Sequence, residues 1–565
     1  MSQSPISSQT NSLGRLTGLI QQIRIEWILI AAIAIACLIR VMYVGAREFW
    51  YDEVLSLLLS TSQRTGYSNP PDIPIALADY GNLLQLPPFS GASDFIKAIK
   101  PLLQGLVGRE PHPPLFFLSQ YLWLPLTGTQ EIGVRSLNLL LSLGAILGAY
   151  GMGKALFNHR GGLILAALLG LNPFFWFHSL NVRMYCPTVL WVTLGGWAAL
   201  QLCNQRLSRP ARCGWYLLLT LSVTAGVLTY YLSALWFMAL GCVILIQDRK
   251  RWWQYGLCGL GALCLAIPWA YWGLPQQLRN VDLNRFSTKS TLVETITQHI
   301  QGLLEVLGIQ LIVGDWATSL PIAVVLAMGI IAIFLLAGII WYLWRLLRQE
   351  SPALLITILI LGCLPLLLML GSDILSGKST LAWGFGRSAI FILPGLLLMV
   401  TAWVINLPTS WKKPVLLTIL VMYLGLNVGD MAGRNRQVFQ QIAATATASD
   451  STLIAMNSKA WGHVLRLVYY LPKGTSVKLL ATHPAMLPES LETVLADGNE
   501  TYERVVWLEA ARPVWQAPKD PAETTKIRQD VEQLLSIDYQ PVGNQELVGT
   551  MELDRFSLNV YERMP

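Results

Sequence analysis

Between residues 26 and 430 the chain returns again and again to uninterrupted apolar runs, most of them 17 to 28 residues long. A bilayer core of ~30 Å is crossed by about 20 helical residues, and no water is available inside it to satisfy an open backbone. Such runs therefore predict a polytopic, mainly α membrane protein. Eleven spans are expected, at 26–45, 134–156, 161–179, 185–203, 214–230, 232–247, 254–272, 318–345, 352–371, 387–406 and 414–430. The run 214–247 is divided at Tyr230-Tyr231, because one helix of that length would be ~50 Å long. Leu115–Leu126 is too short to cross and is expected to lie in the interface. The first apolar run is longer than a signal-peptide core of ~7–15 residues, so it reads as an uncleaved span.

Composition agrees: 53% of residues are hydrophobic and 13% charged, about half the charged share of a soluble domain. The charge is unevenly placed. Residues 431–565 carry 13 basic and 16 acidic side chains, whereas the first 430 carry 27 and 17. The basic excess lies between spans, at Lys154 and Arg160, at Arg206, Arg209 and Arg212, at Arg249-Lys250-Arg251, at Arg345 and Arg348, and at Lys412-Lys413. By the positive-inside rule these loops are cytoplasmic, as is the tail 1–25. Residues 431–565 then lie outside, on a plasma (inner) membrane. No basic patch on the polar part suggests nucleic acid. All eight cysteines fall in or beside apolar runs, which argues against a disulfide framework and a paired-cysteine zinc site.

Three regions are expected: the tail 1–25, a membrane domain 26–430 with a long first outer loop at 46–133, and a soluble domain 431–565. In the last, Thr452–Met456, Val477–Ala481, Arg504–Leu508 and Ser557–Tyr561 read as strands, and Glu489–Ala496 and Thr524–Leu535 as helices. That alternation predicts a small α/β domain.

Four features fall on the outer face. Asp52-Glu53, flanked by Trp50-Tyr51, follows the first span. His112-Pro113-Pro114 opens the interfacial helix. Asn181-Val182-Arg183-Met184-Tyr185 forms an outer turn, and Gly386-Arg387-Ser388 opens the tenth span. A carboxylate can take a proton from an acceptor hydroxyl. Arginines at a membrane edge suit a phosphate, because the guanidinium stays charged and binds its oxygens in pairs. Base, phosphate clamp and apolar surroundings together describe transfer of a group carried on a lipid phosphate. The bland alternatives are interface anchors, helix caps and snorkelling arginines. Arg40, inside the first span, is expected to snorkel to the interface, a phosphate contact being the sharper alternative.

With Trp50-Tyr51-Asp52-Glu53, His112-Pro113-Pro114-Leu115, Arg135-Ser136-Leu137, Arg183-Met184-Tyr185 and Arg387 with Pro394, the chain resembles the GT-C superfamily of integral membrane glycosyltransferases. The likeness is to family 39-like enzymes, which include protein O-mannosyltransferases and bacterial aminoarabinose transferases. The resemblance implies a polyprenyl-phosphate sugar donor, membrane lipid contacts, and inverting transfer to a protein, lipid or glycan acceptor on the extracytoplasmic face. It implies Asp52 as general base with Glu53 beside it, Arg183 and Arg387 on the donor phosphate, and His112, Tyr185 and Asn181 lining the site. Some relatives use a divalent metal; here Asp52, Glu53 and His112 would be its ligands. The chain departs from its relatives at Asn181, where an acid is common, and in the insertion at 60–110. A transporter or flippase of a lipid-linked substrate, and a non-catalytic scaffold, are the competing readings. Transporters place ionisable groups near the midplane, whereas here they gather at one face.

Overall fold

In a computed structural model, residues 24–88, 91–203, 207–280, 286–287, 291–381, 383–449, 451–496 and 501–565 are described. The tail expected at 1–25 lies almost wholly outside them. The fold is mainly α. Among the described residues, ten helical stretches are long and apolar enough to cross a membrane, and an eleventh arises if one bent pair is counted as a single span. That pair is His159–Leu171 and Pro173–Ser179, which meet at 66°. Pro173 has no N–H to continue the first helix and forces Asn172 into an extended backbone (ψ 123°). Asn172 then caps the second helix by accepting from Phe175 N at 2.9 Å. The expected span 161–179 is thus broken, and its second half is re-aimed toward the Asn181–Arg183 turn.

Two stretches need a physical decision about crossing. Leu292–Gly308, with its continuation to Ser319, is apolar enough to qualify, and no span was expected there. Its contacts keep both ends on one face. His299 Nε2 lies 3.2 Å from the carbonyl of Lys378, at the end of the helix Pro352–Ser376. Gly308 packs on the first turns of Ile322–Glu350, where an added Cβ would come 2.7 Å from Gly329 N. Thr318 Oγ1 donates to Thr550 O at 2.7 Å, in the C-terminal domain. The helix therefore runs along the face. Conversely, Ser233–Gln247 has only 15 residues, about 22 Å of helix, yet it joins the two faces. At one end Tyr230 Oη donates to Ser388 O (2.9 Å); at the other Gln247 Nε2 donates to Thr357 Oγ1 (2.5 Å). The division at Tyr230 is visible as an extended residue, φ −156° and ψ 113°. Among the described residues these contacts leave eleven crossings.

Arg40 does not snorkel. It is fully buried, donates to Ala36 O and Gly170 O at 2.7 Å each, and lies 5.4 Å from the Phe175 ring. The carbonyl of Gly170 sits in the last turn of the helix that Pro173 ends, where carbonyls lack helical partners and favour a cation. All eight cysteines are unpaired.

The C-terminal part is a six-stranded sheet in the order β1-β3-β2-β4-β6-β5. Its strands are β1 Ile75–Ala76, β2 Thr452–Met456, β3 Lys478–Ala481, β4 Arg504–Ala510, β5 Tyr539–Val548 and β6 Arg555–Arg563. Strand β2 pairs in parallel with β3 and β4, and the remaining pairs are antiparallel. Helices cover both faces, so β2 is buried along its whole length and reads as continuous apolar sequence. Strand β5 is an exposed, polar edge with an irregularity at Pro541/Gly543, so it carries little apolar alternation to betray it. Strand β1 comes from the first loop: the insertion at 60–110 lends the sheet an edge.

The sheet domain sits directly on the Asp52 face. Phe49 N donates to Tyr470 Oη (2.5 Å), Phe439 N donates to Glu48 Oε2 (2.7 Å), and Lys459 pairs with Asp72 at 2.8 Å. Gly462 lies so close to Tyr51 that a Cβ would reach its ring at 2.5 Å.

Candidate active site

Trp50 is extended (φ −69°, ψ 161°), and the helix Tyr51–Ser60 starts immediately after it. Glu53, at the third helical position, folds back to accept from Trp50 N at 2.9 Å, as in a capping box. The same carboxylate accepts Arg135 Nε (2.9 Å) and Nη2 (2.8 Å), and Val182 N (3.0 Å). Both side chains of the Glu53–Arg135 pair are wholly buried. Arg135 also donates to the carbonyls of Val44, Arg47 and Glu48. Burial raises the Glu53 pKa, but the Arg135 charge and its hydrogen bonds outweigh that and hold it below the usual carboxylate value. Glu53 thereby ties three segments together and has no oxygen left for a ligand.

Asp52 precedes it by about 100° of helical turn and faces an open cleft instead. Its Oδ2 lies 3.2 Å from Arg387 Nη2. Arg387 follows Gly384-Phe385-Gly386, three consecutive residues with positive φ (63°, 57° and 72°). Two of them are glycines, and a Cβ on Gly384 would come 2.5 Å from Arg387 Nε. This turn lays the guanidinium between the rings of Trp50 (4.8 Å) and Trp383 (5.1 Å), with Tyr185 at 5.9 Å.

Arg183 enters from the turn after Pro173–Ser179. Its Nη1 donates to Ser56 Oγ at 3.1 Å, and its Nη2 lies 3.8 Å from Glu110 Oε1. Burial lowers its pKa, and Asp52 and Glu110 more than restore it, so the net shift is upward. His112 Nδ1 is hydrogen-bonded to Glu110, and its ring stacks on Tyr230 at 5.8 Å. Gln277 Nε2 fixes this segment by donating to the carbonyls of Glu110 and His112, 2.8 Å each. Burial depresses the His112 pKa below its ordinary value and favours the neutral ring.

Asp52, Glu110, His112, Arg183 and Arg387 thus share one open cleft. Tyr185 is buried beneath Arg387. Besides Tyr185, two more expected residues stay outside the cleft. Glu53 is sealed against Arg135. Asn181 is fully buried, with its side chain accepting from Arg47 and its backbone carbonyl from Asn138. The metal set Asp52, Glu53 and His112 does not form, because Glu53 is saturated by donors and His112 is engaged by Glu110. Among the described residues no three His, Cys, Asp or Glu side chains converge as ligands. Glu110 went unrecognised in the sequence; its one signal is its place two residues before His112 in Glu-Pro-His-Pro-Pro.

Residues 111–272, which include His112 and Arg183, match the family model described as dolichyl-phosphate-mannose-protein mannosyltransferase. The fold is similar to the crystal structure of ArnT from Cupriavidus metallidurans in the apo state, with TM-score 0.53 and 12% identity over 94% of this chain and 97% of that one. It is equally similar to the same protein bound to undecaprenyl phosphate, with TM-score 0.53, 12% identity, and 94% and 98% coverage. No curated protein matches the chain. The family match thus covers 162 of the 565 residues, and the architecture of the chain as a whole is ArnT-like.

Proposed function

We propose that this chain moves a sugar from a polyprenyl-phosphate donor to a hydroxyl-bearing acceptor in the cleft at Asp52. The observation that carries the reading is the pairing of Asp52 with Arg387, beside Arg183, at the membrane-edge end of the first span. A similar fold has been seen with undecaprenyl phosphate bound, which supports a lipid-phosphate donor.

The residues divide the work as follows. The donor phosphate exchanges places with Asp52 at Arg387, and Arg183 meets its other oxygens. Asp52 Oδ2, released from that ion pair, accepts the acceptor's hydroxyl proton. The acceptor oxygen attacks the anomeric carbon from the side opposite the phosphate and inverts it. The carbon–oxygen bond to phosphate breaks, and polyprenyl phosphate leaves with its growing charge on two fixed guanidiniums. His112 and Glu110 shape the walls, and Tyr185 backs Arg387 from beneath. Glu53 and Asn181 act behind the cleft as positioning residues, Glu53 by fixing the helix that aims Asp52.

We place the Asp52 face outside the cytoplasm of a plasma (inner) membrane, because Lys154, Arg160, Arg249, Lys250, Arg251, Lys412 and Lys413 lie at the opposite face. Residues 431–565 are then an extracytoplasmic unit. The deciding experiment incubates purified protein in detergent with a polyprenyl-phosphate sugar and measures released polyprenyl phosphate. Asp52→Asn should lower release by about 10²–10⁴-fold, the range for loss of a general base, with an unchanged melting curve. Undiminished release by a folded variant would refute the mechanism.

A further inference from the structure

The parallel part of the C-terminal sheet has the order β3-β2-β4, so the chain steps from β2 to β3 on one side and then crosses to β4 on the other. The helix after β2, Trp461–Tyr470, packs on one face through Val464 and Leu467. The helix after β3, Leu487–Ala496, packs on the opposite face through Leu487 and Leu491. Strand order therefore reverses between β2 and β4. In open α/β sheets the connections diverge at such a point and leave a crevice outside the carboxyl ends of the two strands, where ligands bind. A crevice lies there. Asn457 directly follows β2, and its Oδ1 accepts from Ala510 N, at the end of β4, at 2.8 Å. Both residues line it.

Its polar groups are arranged in a row. Trp507 and Glu509, two residues apart on β4, face the side of Leu487–Ala496. Ser557 on β6 is the cross-strand partner of Glu509, and Glu546 on β5 is the partner of Ser557, so the three share that face. Arg528, from the helix Pro521–Leu535, meets the Glu509 carboxylate with Nη2 at 2.9 and 3.1 Å and Nε at 3.1 Å. Trp507 is 2% exposed, and among the described residues its Nε1 has no hydrogen-bond partner. Pro513 and Ala517, from the loop after β4, add small apolar surfaces. Burial pushes the Glu509 pKa up, and the charges of Glu546 and Glu532 oppose the relief that Arg528 gives. A further negative charge is therefore unwelcome here.

We propose that this crevice is a second binding site, for a carbohydrate without acidic groups. Paired planar side chains, a hydroxyl and an open indole N–H beside small apolar surfaces suit a ligand that presents many hydroxyls and C–H faces. An extended peptide finds no strand edge to pair with, because β2, β4 and β6 each have neighbours on both sides. The crevice shares a wall with the Asp52 cleft. In the loop 511–518, Pro513 lines the crevice, Val514 lines the cleft, and Trp515 packs on Trp461, another cleft residue, at 6.2 Å. A sugar seated there lies one loop away from the transfer site.

The test places the full-length chain in phosphatidylcholine nanodiscs, which keep sugar-headed detergents away. Mannotriose, the glucosamine trimer, trigalacturonate and a neutral serine-rich peptide are titrated by calorimetry. Mannotriose or the glucosamine trimer should bind with a dissociation constant below about 1 mM, and about tenfold or more tighter than trigalacturonate. Whichever leads tells a neutral sugar from an amino sugar. Ala517→Trp, which fills the crevice from an exposed loop, and Arg528→Ala, at a half-exposed helix position, should each weaken that binding about tenfold or more, with polyprenyl-phosphate affinity unchanged. Should Ala517→Trp unfold, Arg528→Ala decides alone. The proposal is overturned if wild type binds neither sugar, if trigalacturonate or the peptide leads, or if the folded variants bind within about threefold of wild type. Absence of polyprenyl-phosphate binding would refute the donor reading above and leave this site standing.

Discussion

Glu53→Gln is the substitution whose cost can be worked from the geometry. The native carboxylate accepts four hydrogen bonds: two from Arg135, one from Trp50 N and one from Val182 N. An amide keeps the shape but turns one acceptor oxygen into a donor. On either side that donor faces N–H groups, so two contacts are lost and Arg135 is left as a buried cation with only carbonyl partners. Hydrogen bonds to charged groups contribute ~1.5–3 kcal/mol each, and removing one member of a buried pair costs ~3–5 kcal/mol. The two routes agree on a loss of about 3–5 kcal/mol, a large part of the ~5–15 kcal/mol of a typical domain. Chemical denaturation in detergent micelles measures it. Adding Arg135→Met to Glu53→Gln should recover much of the loss, because the stranded cation is then gone. The pH dependence follows from the depressed Glu53 pKa. Its stabilisation is present above the ordinary carboxylate value of about 4.3 and is lost as pH falls through the lower folded value. Wild type should show that acid loss and Glu53→Gln should not. A variant as stable as wild type to within about 0.5 kcal/mol would refute the claim that this pair organises the site.

Two further outcomes follow from the cleft. Arg387→Lys keeps the charge but loses the planar fork that the proposed phosphate clamp needs and the stack between Trp50 and Trp383; polyprenyl-phosphate release should fall by about 10²–10³-fold, and a loss under about threefold would show that Arg387 does not hold the leaving group. His112 has its pKa depressed by burial, so the unfolded chain takes up a proton first as pH falls below about 6.5. Stability should be full above that pH and decline toward the lower folded value, a slope that His112→Gln removes when denaturation midpoints are compared between about pH 5 and 7.5.

The sequence by itself determined the membrane architecture and the shared face of Asp52, His112, Arg183 and Arg387. Length, hydropathy and loop charge are local properties, and a helix fixes where its own ends emerge. The same local logic placed four of the six strands and two helices of the C-terminal region. Only the tertiary structure decided which member of the Asp52-Glu53 pair faces the cleft. Adjacent helical residues point about 100° apart, and the choice between them belongs to Arg135, more than 80 residues away. The sequence reading already left Leu292–Gly308 out of the spans, but only the tertiary structure supplies the partners at Lys378 and Gly329 that keep it on one face. Nor could the sequence reveal that Asn181 is used up by Arg47 and Asn138, that Glu110 approaches Arg183 and His112, or that Trp461 reaches back to Arg64. Each of these depends on a contact between distant segments, and such contacts exist only once the spans have packed and the C-terminal sheet has taken a strand from the first loop.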